Sequence, residues 1–207
     1  MRCNNAFLYN NNFGSTSIVV IGQDMFSKVD SYTLLAVLFF IIAGNIMGKG
    51  KISEKLINFA NALVGYLPGG LAMAGTTACG LFGAISGAAT PTLVAIGGVM
   101  FPSLVKSGYK KRFSIGIITS SAILGIIIPP SIPMIFYAML SDVSVGKMFA
   151  AGFIPGIILI IIWCIYSAIH ARRSRYQRIS FKGFRFILFS IKDGIWALVL
   201  PLIIFVG

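Results

Sequence analysis

A chain of 207 residues with a formal charge of +12, 57% hydrophobic residues and a mean hydropathy of +0.91 belongs in a membrane, not in solution. The positive charge does not signal nucleic acid, because no basic face is interleaved with aromatics as strand-binding grooves require. Every Lys and Arg except Arg2, Lys28 and Lys147 instead gathers in one of three clusters, at 49–55, 106–112 and 172–192, each beside an apolar run as in cytoplasmic loops.

In chain order, residues 1–30 open polar and Asn-rich, with no pattern of a cleavable signal peptide, and predict no definite structure. Residues 31–48 form a first span of about 18 residues. Asn45, near its cytoplasmic end, suits an interhelical hydrogen bond or a helix-end position. Over 52–67, Ile52, Leu56, Phe59, Leu63 and Leu67 recur at helical spacing opposite Ser53, Glu54, Asn58 and Asn61. This predicts an amphipathic helix at the interface, with Ser53 as a candidate cap.

The run 68–105 is too long for one crossing, since a helix of that length would extend roughly 57 Å against a hydrocarbon core of about 30 Å. A polar break at 86–92 divides it into two arms, and positive clusters flank both ends, so a hairpin is expected. Its uncharged tip of hydroxyls and small residues favours a re-entrant one. The run 113–140 is interrupted by Pro129, Pro130 and Pro133, each of which would release the carbonyl four residues back, at Gly125, Ile126 and Pro129. The loop 141–146 has no Lys or Arg and is placed outside. Residues 148–171 return as a span to the basic segment 172–192, where apolar and basic residues suggest a second interfacial helix. The last run, 195–207, is too short to span, and the chain is expected to be cut there. The fold class is therefore all-α: a polytopic integral membrane protein with a helical hairpin and a discontinuous, proline-broken helix.

Two consecutive breaks at membrane depth carry the functional reading. Unwound backbone is tolerated there only where protein buries it or it lines a polar cavity, and discontinuous helices mark transporter binding sites. Thr90 before Pro91 resembles an N-cap with proline at the first helical position. The second hairpin arm would then aim its positive dipole end at the tip, where a carboxylate fits. Ser86, Thr90 and Thr92 add hydroxyls, while Gly87 and Ala88 allow close backbone approach. The same small residues also suit a helix-packing seam.

At the proline break, freed carbonyls and the Ser131 hydroxyl are hard oxygen ligands suited to Na⁺, although a plain proline kink is the simpler alternative. Asp24, Asp30, Glu54, Asp142 and Asp193 all lie outside the confident spans, and His170 stands beside Arg172 and Arg173 at a helix end. A proton relay needs buried acids or histidine, so sodium is the expected coupling ion, with no cofactor. Cys3, Cys79 and Cys164 share no metal or redox spacing and are expected to act as small hydrophobes. No nucleophile–base pair, metal cluster or phosphate loop supports an enzyme.

These stretches resemble a known family, the large membrane subunit (DctM type) of tripartite ATP-independent periplasmic (TRAP) transporters. The resemblance runs in order through Phe40–Met47, Ile52–Gly65, Pro68–Ala72, Gly83–Gly87, Ile128–Met134 and Ala151–Gly156. It implies a multi-pass protein of the bacterial inner membrane, importing carboxylates such as C4-dicarboxylates or sialic acid by Na⁺ symport. It also implies an elevator-type, inverted-repeat fold and two protein partners, a small DctQ-type membrane subunit and a periplasmic DctP-type binding protein.

By the same resemblance, Ser86 with the oxygens of Gly125, Ile128 and Pro130 would hold sodium beside the substrate, and residues 31–207 would represent about the first half of such a permease. The tip departs from the family's usual Ser-Gly-Ser-Ala-Val-Ala-Asp, having Ala88 for a serine and Thr92 for an acid. Two other readings stay open: a sodium–carboxylate carrier that needs no binding protein, and an inactive truncated membrane fragment.

Overall fold

The computed structural model describes residues 35, 37–39, 41, 42, 44, 46, 52–141 and 143–174. The chain divides into two units, Met1–Ala36 and Val37–Gly207; of the first, only Leu35 is described, and it is helical. The expectations for residues 1–30, Asn45, 175–192 and 195–207 lie outside the described residues, and the span 31–48 is described only as helical residues between 35 and 46.

Every further regular element among the described residues is an α-helix: α1 (Ile52–Val64), α2 (Gly70–Ser86), α3 (Ala89–Lys106), α4 (Lys111–Ala122), α5 (Leu124–Ile127), α6 (Ile132–Leu140) and α7 (Val145–Ser174). α2 is the hub. Its sequence intersperses Gly, Ala and Thr with Leu, Met, Phe and Ile, so neighbours approach it from several sides, and 14 of its 17 residues are buried. α3 returns antiparallel after a two-residue turn. Met100 of α3 thereby meets Gly75 of α2, its methyl 3.2 Å from where a Cβ on that glycine would stand.

The main core joins Leu56, Ile57 and Ala60 of α1, Ala78, Phe82 and Ile85 of α2, Ile96 and Met100 of α3, and Ile117 and Ile118 of α4. A smaller cluster of Val37, Ile135 and Phe149 gathers the helical residues near 37 with α6 and α7. Across the α2–α4 contact, the buried hydroxyls of Thr76 and Ser121 lie 2.9 Å apart, each giving the other a partner in apolar surroundings. A double-mutant cycle of Thr76→Val and Ser121→Ala, read by denaturant unfolding in detergent micelles, should give a coupling of about 0.5–1.5 kcal/mol. Strictly additive losses would show that the pair contributes nothing as a pair.

Of the described helices, α3 and α7 are long and apolar enough to cross a membrane, and α4–α5 with α6 form a pair bent by 41° that qualifies as one broken span. α7, at 30 residues, is about 45 Å long and must tilt or project beyond the hydrocarbon. Small or weakly polar residues (Gly152, Gly156, Ser167, Ala171) dominate its buried side, whereas Ile157, Ile158, Ile161 and Ile165 stand half exposed. That inversion is physical: hydrocarbon accepts large apolar side chains as readily as a core does, so small residues go where helices touch.

The same rule corrects α1. Of the predicted apolar face Ile52, Leu56, Phe59, Leu63 and Leu67, Leu56 is fully buried but Leu63 is exposed, and the residues packed inward are Ser53, Leu56, Ile57, Ala60 and Ala62. Ser53 lies within the helix and is buried, so it is not a cap before it. The broken run begins at Lys111 and has an additional interruption that the prolines do not explain. At Ile123 the chain tightens, its amide reaching Ser120 O and its carbonyl receiving Ile126 N. α7 also extends beyond the expected 148–171 at both ends.

Candidate functional site

Gly87 makes the hairpin tip possible. It ends α2 at φ 63°, ψ 12°, a left-handed conformation that costs glycine little, and its amide closes on Gly83 O at 2.8 Å. Ala88 is then extended and α3 starts at Ala89. Thr90 therefore lies inside the helix, exposed to its outside, and no side chain caps the helix start. This corrects the expected N-cap. Pro91 falls in the first turn, where the missing amide hydrogen would have no helical partner in any case.

The hydroxyl that matters structurally is Thr92, one turn further on. Thr92 Oγ1 donates to Ala88 O at 2.8 Å and lies 3.0 Å from Ser86 Oγ, which itself is 3.2 Å from Ala88 O. Ser86 and Thr92 are both buried. Three neutral oxygens thus form a compact triangle at the tip. Of the two threonines at the tip, Thr90 is exposed and Thr92 is buried at the junction. Its spacing of four from Ala88 places it on the tip side only once the helix is known to start at 89.

The second break leans directly on this triangle. A Cβ on Gly125 would lie 2.6 Å from Ala88 O and 2.7 Å from Thr92 Oγ1, and a Cβ on Gly83 would lie 2.6 Å from the Gly125 Cα. Backbone meets backbone at this crossing, with no space for a side chain on either partner. Ile128 is buried and extended, Pro129–Pro130 is a cis peptide, and Pro130 O lies 3.1 Å from where a Gly87 Cβ would point.

One main-chain hydrogen bond closes the junction. A continuous helix would send the Ile132 amide to Ile128 O, but here it reaches Gly87 O at 3.0 Å. Helical Gly44 backs the arrangement, a Cβ there falling 3.3 Å from the Ser86 Cα.

The proline carbonyls resolve differently from expectation. Ser131 Oγ donates to Ile126 O at 2.8 Å, so the hydroxyl satisfies the oxygen that Pro130 leaves without a partner. Pro133 is in the first turn of α6 and breaks no helical bond, because residue 129 is not helical. Of the expected site residues, Ser86, Gly87, Ala88 and Gly125 are brought into contact, with Ile128, Pro130 and Ser131 buried next to them and Thr90 apart. The oxygens facing the junction are neutral hydroxyls and carbonyls, and the one acidic residue among those described, Glu54, is exposed on α1. Chemically, neutral hydroxyl and carbonyl oxygens are hard ligands that a monovalent cation accepts, whereas the positive dipole end at the start of α3 favours an anion.

The profile of a family described as "Tripartite ATP-independent periplasmic transporter, DctM component" matches residues 2–207. Similar curated proteins include the C4-dicarboxylate TRAP transporter large permease protein DctM of Pseudomonas aeruginosa, 40% identical over 94% of this chain and 46% of the relative. The isethionate TRAP transporter permease protein DctMQ of Oleidesulfovibrio alaskensis is 34% identical over 94% of this chain and 31% of its own length. The ectoine TRAP transporter large permease protein TeaC of Halomonas elongata is 36% identical over 89% of this chain and 43% of its own. The chain thus spans less than half the length of each of these relatives.

Proposed function

Because the chain belongs to the DctM family of TRAP transporter permeases, and is an integral membrane protein and not an enzyme, we propose that it supplies the first hairpin site of a sodium-coupled importer of small carboxylates. The single observation that carries this reading is the junction of Ser86, Ala88, Thr92 and Gly125, where two breaks in membrane helices meet around neutral oxygens.

In this reading Na⁺ is a co-substrate held by hydroxyl and carbonyl oxygens at the junction. The substrate carboxylate lies next to it, attracted by the cation and by the start of α3. The named substrates of the relatives, C4-dicarboxylate, isethionate and ectoine, are small and carry an acid group, and C4-dicarboxylates are the first choice here. Such a permease would work in the bacterial inner membrane with a small membrane subunit and a periplasmic binding protein.

The test is uptake of a C4-dicarboxylate into liposomes holding the complete permease with both partners, under an imposed Na⁺ gradient. Ser86→Ala should raise the half-saturating Na⁺ concentration roughly tenfold, the equivalent of about 1.4 kcal/mol and one good oxygen contact. Thr90→Ala, at the exposed position, should stay within about twofold of the parent. Uptake indifferent to the gradient, or a Ser86→Ala variant with unchanged sodium dependence, would refute the reading.

A further inference from the structure

Away from the hairpin tip, the start of α4 and the end of α7 come together at the basic edge of the molecule. Phe113 stacks on His170 with ring centroids 4.0 Å apart and planes 4° from parallel, and Tyr166 packs against Phe113 at 6.0 Å. This contact draws Lys110, Lys111 and Arg112 towards Arg172 and Arg173, all five exposed. Neither α4 nor α7 carries an acid, and Glu54, the one described acidic residue, is on α1.

From this edge a cavity of about 180 Å³ runs between the two helices. Arg112 lines its mouth, Gly116 and Ser120 line it along α4, and Trp163 and Tyr166 line it along α7. Gly116 leaves it open: a Cβ there would meet nothing within 4 Å. From Arg112 to Ser120 is roughly 12 Å along the helix, the passage from headgroup level into hydrocarbon. Tyr and Trp are the side chains suited to that depth.

We propose that this groove binds an anionic phospholipid of the cytoplasmic leaflet. The phosphate rests on Arg112 and the neighbouring cations, and one acyl chain runs past Gly116 and Ser120 to Trp163. Charge complementarity selects this occupant. Exposed cationic side chains at the membrane surface, Lys111, Arg112, Arg172 and Arg173 among them, attract acidic lipid. The greasy floor beneath it accepts the chain attached to that headgroup, which a soluble anion lacks.

The chain has two tryptophans, so Trp196→Phe leaves Trp163 as the sole reporter. The protein is placed in phosphatidylcholine vesicles containing equal mole fractions of either brominated phosphatidylglycerol or brominated phosphatidylcholine, and Trp163 emission is measured. The brominated phosphatidylglycerol should quench roughly fivefold more effectively, as expected for cationic side chains facing an acidic leaflet. Arg112→Gln should lower this quenching to the phosphatidylcholine level, and Gly116→Leu should lower it by filling the groove, both with unchanged helix content by circular dichroism. Inorganic phosphate, compared with chloride at equal ionic strength, should displace nothing. Equal quenching by the two lipids, weak quenching by both, a preference that survives either substitution, or displacement by phosphate would each overturn the proposal.

Discussion

Gly125→Val should separate the two breaks, lowering stability by about 3 kcal/mol through forced overpacking. The new Cβ alone would lie 2.6 Å from Ala88 O and 2.7 Å from Thr92 Oγ1, and the branched methyls add to the conflict. Relief cannot come from rotating a flexible side chain, because the nearest obstacles are main-chain atoms and a threonine that is itself hydrogen-bonded. Either α5 retreats from the hairpin or the Ser86–Thr92 triangle opens. Denaturant unfolding in micelles measures the first cost. In a complete permease, uptake under a Na⁺ gradient should fall roughly a hundredfold, the scale of losing about an ångström of alignment at a reacting or binding centre. A variant as stable and active as its parent would show that the crossing is looser than described.

Gly87→Val should act at the same junction by another route. Here the backbone itself objects, since φ of 63° is disfavoured for a β-branched residue, at a cost of about 1–3 kcal/mol. The side chain would also press on Pro130 O and Ile132 N, at 3.1 and 3.3 Å from its Cβ. Because Gly87 O receives the Ile132 amide, twisting the turn removes the hydrogen bond that joins hairpin and broken helix. Gly87→Asn separates the two causes: asparagine tolerates the left-handed conformation yet keeps the steric conflict. Stability intermediate between glycine and valine is expected, and equal losses for both variants would assign the whole effect to crowding.

The hairpin turn and the proline break were legible in the sequence, because Gly87, Pro129 and Pro130 act through local backbone chemistry that needs no knowledge of the fold, while the tightening at Ile123 had no such signal. The position of the helix start was not. Thr90–Pro91 carries the local signature of a cap, but Gly87 had already turned the chain and α3 began at Ala89, which put Thr90 on the exposed outside of the helix and Thr92 at the buried junction. The inner face of α1 was misjudged for a related reason. Periodicity finds the large apolar residues, yet in a membrane those such as Leu63 can face outward while Ser53 and Ala60 make the contact. The pairing of Gly83 with Gly125 and of Thr76 with Ser121 joins residues distant in the chain, and nothing local in either stretch announces its partner.

The bond from the Ile132 amide to Gly87 O also sets an order of events during biogenesis. The hairpin tip emerges from the ribosome before residue 132 does, so it meets lipid with that carbonyl still waiting for its donor. Until then, water or the insertion machinery must satisfy the exposed carbonyl of the turn.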